Sequence, residues 1–207
     1  MPTLLHVGCA RLRKDATTPA FAGPDWDEVR LDIDPAVEPD IVASMTDMSA
    51  VPNGAMDAVY SSHNLEHLYP FEVEVALKEF ARVLGPDGFA VVTCPDLQAT
   101  AQLVLEDRLL ETAYESPAGP ISALDILYGH RAALARGNLF MAHRCGFTAR
   151  ALSQVLRGCG FGSVIVRRRP AHFDIWAVAT RASAAPERLR ALAAQHFPAD
   201  STPAAAT

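Results

Sequence analysis

The sequence predicts a doubly wound α/β fold, a mostly parallel seven-stranded sheet with helices on both faces. Three observations carry that expectation. Short apolar runs recur at 4–7, 29–33, 41–43, 58–60 and 89–93, each too brief for a helix and suited to strands buried on both faces of a sheet. Several end in small or polar residues, where a strand opens into a loop. Between the fourth and fifth runs an amphipathic stretch is stopped by Gly85-Pro86-Asp87-Gly88, and the resulting order of strand, helix, turn and strand is the βαβ unit with its right-handed crossover.

In chain order, the first strand begins almost at the amino terminus and ends on Gly8. The second ends on Asp32-Ile33-Asp34, and the fourth runs into Ser61-Ser62-His63-Asn64. The helix that follows has Pro70 in its first turn, where proline is tolerated, and Val73, Leu77, Phe80, Ala81 and Leu84 at helical spacing. After Pro95 a second helical stretch spans 99–112, and 115–145 is less regular and rich in Gly, Pro and His. A helix capped by Thr148 covers 149–156 and is closed by Gly158 and Gly160, then 163–167 and 173–179 alternate like a strand pair. The residues from 186 to 197 form a last helix, and 198–207 is an Ala/Pro/Thr tail expected to be disordered. The expected organisation is one domain over 1–197, in which 113–147 covers the acceptor side.

At 207 residues, 50% hydrophobic and 20% charged, the chain is long enough for one full core. Its net charge of -6 gives no electrostatic reason to seek phosphate backbones, so a nucleic-acid partner is not expected. The cluster Arg167-Arg168-Arg169 reads as a solvated strand end. The amino terminus lacks a basic start and an export core, and no stretch reaches the ~18 apolar residues of a membrane span, so the expected location is cytoplasmic, without a membrane partner. Cysteines at 9, 94, 145 and 159 form no CxxC pair and read as reduced and individually placed.

In an open parallel sheet the ligand sits beyond the carboxyl ends of the strands, at the switch point. Three stretches there are informative. Gly8-Cys9-Ala10 can let the backbone approach a ligand, or be an ordinary turn. Asp32, 24 residues after Gly8, can accept both hydroxyls of a ribose, or be a loop acid. The run from Asp57 to Leu68 turns an apolar strand into a dense polar cluster at a helix start.

Together these stretches resemble the class I methyltransferases, most closely the type-11-like branch, in Gly8-Cys9-Ala10, Leu31-Asp32-Ile33-Asp34-Pro35, Ser62-His63-Asn64-Leu65-Glu66-His67-Leu68 and Arg82-Val83-Leu84-Gly85-Pro86-Asp87-Gly88. Order and spacing fit over residues 3–97; the likeness continues more loosely through Tyr128-Gly129-His130 and His143-Arg144-Cys145-Gly146-Phe147-Thr148. The resemblance implies a Rossmann-like sheet and S-adenosylmethionine as cofactor. It implies that Gly8, Cys9 and Ala10 approach the methionine part, that Asp32 takes the ribose hydroxyls, with Ile33 beside it in the cofactor site, and that Ser44, Met45, Thr46 and Asp47 face the adenine. Ser62 and His63 would close the pocket near the sulfonium. The chain departs from the pattern twice: Ala10 replaces the second glycine of the loop, which a negative φ would accommodate, and Ser44 stands where an acid usually meets the adenine amino group.

Methyl transfer from a sulfonium is a direct displacement, so the protein mainly aligns acceptor, methyl and sulfur; an alcohol or phenol acceptor also gains from a base, for which histidine is suited at neutral pH. His63 or His143 is the expected catalytic residue, His143 because it lies in the irregular segment beside Tyr128 and Arg144. His63 and His67 lie four apart beside Glu66, but HExxH sites place the glutamate directly after the first histidine and need a third ligand, so no metal is expected and Glu66 and His67 are read as fixing the helix start. His6 is read as a satisfied core or sheet-edge histidine. The expected acceptor is a small molecule, sugar-like on the looser likeness, with a homodimer left open. The alternative from another class is a catalytically silent binder of S-adenosylmethionine or S-adenosylhomocysteine that regulates or scaffolds a partner. A nicotinamide-dependent oxidoreductase is opposed by the missing G-x-G-x-x-G and Tyr-x-x-x-Lys.

Overall fold

The computed structural model describes residues 1–199, so the residues of the expected disordered tail from 200 onward lie outside the described part. Strand β1 (Thr3–Val7) is buried almost throughout and leads through helix α1 (Pro19–Ala22) to β2 (Asp27–Asp32) and the short β3 (Ile41–Val42). Strand β4 (Met56–Ser62) precedes helix α2 (Pro70–Val83), whose first turn holds Pro70, and β5 (Leu84–Pro95) follows it at once. Helix α3 (Leu97–Leu105), a hairpin of β6 (Thr112–Ser116) and β7 (Gly119–Ser122), and the short helices α4 (Ala123–Tyr128) and α5 (Arg131–Ala135) come next. Helix α6 (Ala149–Gly158), capped by Thr148, strands β8 (Ser163–Arg169) and β9 (Asp174–Thr180), and helix α7 (Pro186–His196) complete the described part.

The seven-stranded sheet has the order β3-β2-β1-β4-β5-β9-β8. All neighbours from β3 to β5 pair in parallel, while β9 runs antiparallel to both β5 and β8. This is the Rossmann-like sheet expected, with β9 inserted antiparallel between β5 and β8. Connections leave β1 toward β2 on one side, and β4 lies on the other, so the switch point falls between β1 and β4. Successive strand residues face opposite sides, which divides the core. Leu5, Val7, Val92 and Ile175 pack with Leu77 and Phe80 of α2 and Leu152 and Leu156 of α6 on one face. Leu4, Tyr60, Phe89 and Val178 pack with Phe21 on the other, against Leu189, Leu192 and Phe197.

Three local readings need correction. The helix expected at 99–112 starts earlier and stops sooner, because the Asp96 carboxylate accepts the amides of Gln98 and Ala99 as its cap, and Asp107 with φ 57 breaks the chain's helical course. The segment read as irregular is built: β6 and β7 are a hairpin, and α4 carries a Ser122/Asp125 capping box clamped by Arg131. The arginine cluster is not a freely solvated strand end. Arg168 is paired with the buried Asp96 at 2.7 Å, Arg169 is paired with Asp174, and Arg167 donates to the Pro198 carbonyl and lies over the Phe197 ring. Among the described residues no helix is long and apolar enough to cross a membrane.

Candidate active site

The loop after β1 turns sharply at the switch point. Gly8 has φ +65 and donates to the Leu31 carbonyl at 2.8 Å; a Cβ there would run into the Asn64 carboxamide. Asn64 uses that space to donate to the carbonyls of Val7 and Ser62, both at 3.0 Å, and so ties the ends of β1 and β4 together. Ala10 also lies in the left-handed region, at φ 46, not at the negative φ that would suit its methyl group.

What holds Ala10 is Asp32. Its Oδ2 accepts the Ala10 amide at 2.8 Å and its Oδ1 accepts the Asp34 amide at 2.9 Å, so the carboxylate is aimed while keeping lone pairs on both oxygens. Beneath it the buried guanidinium of Arg30 donates to the carbonyls of Ala10, Leu12, Val37 and Glu38, fastening the two loops that flank Asp32. Sequence reasoning missed Arg30 and Asn64. A lone arginine in an apolar strand and an asparagine inside the Ser-His-x-Leu-Glu run were the only signals.

These ends open on a cavity of about 380 Å³, within the range of small-molecule sites. Gly8, Ala10, Asp32, Ile33, Ser44, Met45, Ser62 and His63 line it, eight of the expected cofactor residues. Ile33, 49% exposed, offers an apolar wall. Three expected residues do not line it. Cys9 is buried beneath the loop, where burial pushes its thiol up; Thr46 hydrogen-bonds the Ser44 hydroxyl at 2.7 Å; and Asp47 is exposed and accepts the Ser49 amide at 3.2 Å. The opposite wall is Asn138, Phe140, Met141 and Arg144, from the segment between α5 and α6.

A second cavity of about 230 Å³ adjoins, lined by His63, Glu66, His67, Tyr114, Asp125, His130, Met141, His143 and Phe173. His63, His67 and Met141 belong to both. His143 faces only the smaller cavity of these two, with Nδ1 at 2.7 Å from the Ile126 carbonyl, and burial holds its basicity below the ordinary value. His63, at φ 53, hangs from the end of β4 by its amide bond to the Thr93 carbonyl. Partial desolvation of this 47% exposed ring works against its protonation, but Glu66, with Oε1 3.4 Å from Nδ1, outweighs it and raises its pKa. Glu66 and His67 do brace the segment after β4: their carbonyls accept the Arg144 amide at 2.7 Å and the Arg144 guanidinium at 2.8 Å. Yet the Glu66 side chain, 1% exposed, points inward, and both its oxygens lack a hydrogen-bond partner.

Residues 7–92 match the family model Methyltransf_11, described as a methyltransferase domain. Over these residues the chain is similar to a methyltransferase domain. S-adenosylmethionine is the cofactor of this enzyme, and the cavity fits it: an aimed carboxylate at the second strand end, a glycine turn at the first and an apolar wall between. No curated protein matches the methyltransferase in sequence. Solved structures share its fold at low identity. The 1,6-didemethyltoxoflavin-N1-methyltransferase of Burkholderia thailandensis, with S-adenosylhomocysteine bound, is 15% identical with a TM-score of 0.54, covering 88% of this chain and 72% of its own. A S-adenosylmethionine-dependent methyltransferase of Methanosarcina mazei is 16% identical with a TM-score of 0.56, covering 88% and 93%. A protein of Pyrococcus horikoshii is 13% identical with a TM-score of 0.59, covering 86% and 81%. Some other neighbours are longer, and this chain spans 47% and 52% of two of them.

Proposed function

We propose that this methyltransferase transfers its methyl group to a small-molecule or sugar-like acceptor held in the smaller cavity. The observation that supports this most is the junction of the two cavities at His63, His67 and Met141, which gives a donor compartment and an acceptor compartment a common wall. When bound, S-adenosylmethionine supplies an electrophilic methyl on a good leaving group, so no covalent enzyme intermediate is needed. Asp32 accepts the ribose hydroxyls with the lone pairs its two backbone bonds leave free, and Ile33, Ser44 and Met45 face the adenine. Gly8 and Ala10 flank the methionine part, and Ser62 and His63 border the reacting end. His63 or His143 orients the acceptor and takes its proton; the negative Glu66 beside His63 favours the proton's arrival there. The segment 113–147 covers the acceptor side, and Tyr114 and Phe173, whose rings stack with centroids 6.1 Å apart, give it an aromatic face.

Titration calorimetry with S-adenosylmethionine and S-adenosylhomocysteine tests the donor half. Binding that weakens at least ~10-fold in Asp32→Ala is the expected result, since two hydrogen bonds to a charged group are lost. No binding by the wild-type protein would overturn the assignment of this cavity. Methylation assays over a panel of hydroxylated and amine acceptors then separate turnover from the silent-binder alternative, and a His143→Ala enzyme with unchanged kcat would leave the proton to His63.

A further inference from the structure

The smaller cavity contains a polar arrangement that methyl transfer alone does not explain. Glu66 is 1% exposed and neither of its carboxylate oxygens has a hydrogen-bond partner; the nearest charged neighbour is His63, whose Nδ1 lies 3.4 Å from Oε1. A buried carboxylate without donors is costly unless a cation satisfies it. The residues that face it are histidines. One ring nitrogen each of His67 and His143 and one Glu66 oxygen lie within 4.8 Å of one another, and the two rings are 4.9 Å apart.

The tautomers of these rings are fixed by what they touch. His67 Nδ1 lies 3.1 Å from the Ala142 carbonyl and His143 Nδ1 lies 2.7 Å from the Ile126 carbonyl. A carbonyl only accepts, so each Nδ1 carries the hydrogen, and in the neutral ring each Nε2 is left with a lone pair. A backbone carbonyl on one ring nitrogen is the outer-shell support that metal-ligating histidines commonly have. We infer that Glu66, His67 and His143 form a binding site for a divalent transition-metal cation at the wall of the acceptor cavity. Two imidazoles and one carboxylate suit Zn²⁺, Fe²⁺, Co²⁺ or Mn²⁺, and ligand bonds of ~2.0–2.2 Å set donors about 3.5 Å apart in a tetrahedral site, so the three side chains draw together as they bind the ion. The third ligand, missing from the His63-x-x-x-His67 spacing, arrives from the segment before α6. Arg144 and Cys145, which donate to the Glu66 carbonyl, clamp it there.

Resting on the acceptor reading above, the site narrows the substrate class. A cation held by three protein ligands on a cavity wall keeps open positions toward that cavity, so the acceptor presents an oxygen donor, a hydroxyl or carboxylate, to it. His143 then serves as a ligand, and the acceptor's proton falls to His63.

The test uses chelator-stripped full-length protein titrated with Co²⁺, read by its visible absorption, and with Zn²⁺, read by calorimetry. Binding of about one equivalent, weakened at least ~10-fold in His143→Ala and in Glu66→Gln, is the expected result. Because Glu66→Gln removes a buried charge and can affect folding, His143→Ala, on the covering segment, carries the decision. Asp32→Ala is the control: it is expected to lose S-adenosylhomocysteine while keeping Co²⁺, so a failed donor pocket and a failed cation site give different results. Absence of Co²⁺ and Zn²⁺ binding by wild-type protein that binds S-adenosylhomocysteine overturns the site, and so does Co²⁺ affinity unchanged in His143→Ala.

Discussion

At Ala10 the chain holds an L-residue where φ is 46, a conformation that crowds Cβ against the following carbonyl oxygen. The Asp32 bond to its amide and the Arg30 bond to its carbonyl keep it there. Ala10→Gly relieves about 1–2 kcal/mol of that crowding and returns part of it as extra freedom of the unfolded chain, so a net gain of about 0.5–1 kcal/mol in urea denaturation is expected. A destabilised glycine variant would mean that the alanine methyl packs favourably enough to offset its backbone. Arg30→Ala should act in the opposite sense: four carbonyls lose their buried donor, and about 3 kcal/mol of stability and much of the S-adenosylhomocysteine affinity go with it. Asp32 was legible because a carboxylate at the second strand end has a fixed distance from the first-loop glycine. Ala10's φ was not, because it is set by hydrogen bonds from residues far along the chain. Cys9 shows the same limit: its place in the loop motif says nothing of which way its side chain turns.

Among elements, the strands announced themselves, since runs such as Leu4-Leu5-His6-Val7 have no polar face to disguise them. The hairpin of β6 and β7 did not, because Thr112, Tyr114 and Glu115 of the largely exposed β6 lack a clean apolar alternation, and β7 buries only its end at Ile121 and Ser122. Helix α3 was misplaced at its start for a related reason: Pro95-Asp96 looks like a turn, and only the fold shows Asp96 with no exposed surface, capping α3 and receiving Arg168. Asp96→Ala removes cap and ion-pair partner together, and a loss of about 3 kcal/mol is expected in chemical denaturation. Asp96→Asn, which can still accept the capping amides, should lose less. Equal losses in the two variants would assign the whole effect to the charge.

For the molecule as a whole, the sheet separates two cores, and the one on the α1 and α7 side is closed by residues made late, on and just after α7. His196, 2% exposed, packs 4.3 Å from the Phe21 ring and shares a 2.8 Å hydrogen bond with Thr18. Burial lowers its pKa to about 4 from 6.5. Since the folded value lies below the ordinary one, the neutral ring's contribution is complete above pH ~6.5 and is lost as pH falls through the window toward about 4, amounting to about 3 kcal/mol. His196→Phe should flatten that part of the stability profile, and an unchanged slope would place the acid sensitivity in other groups. Thr18 and His196 are 178 positions apart, and this distance has a meaning for biosynthesis. The ribosome makes Phe21, Trp26, Tyr60 and Phe89 long before it makes Leu189, Leu192 and Phe197, which pack against them. Until α7 emerges, the nascent chain presents an aromatic surface with nothing to lie against, so the newborn protein is most in need of a chaperone in the interval before α7 leaves the exit tunnel.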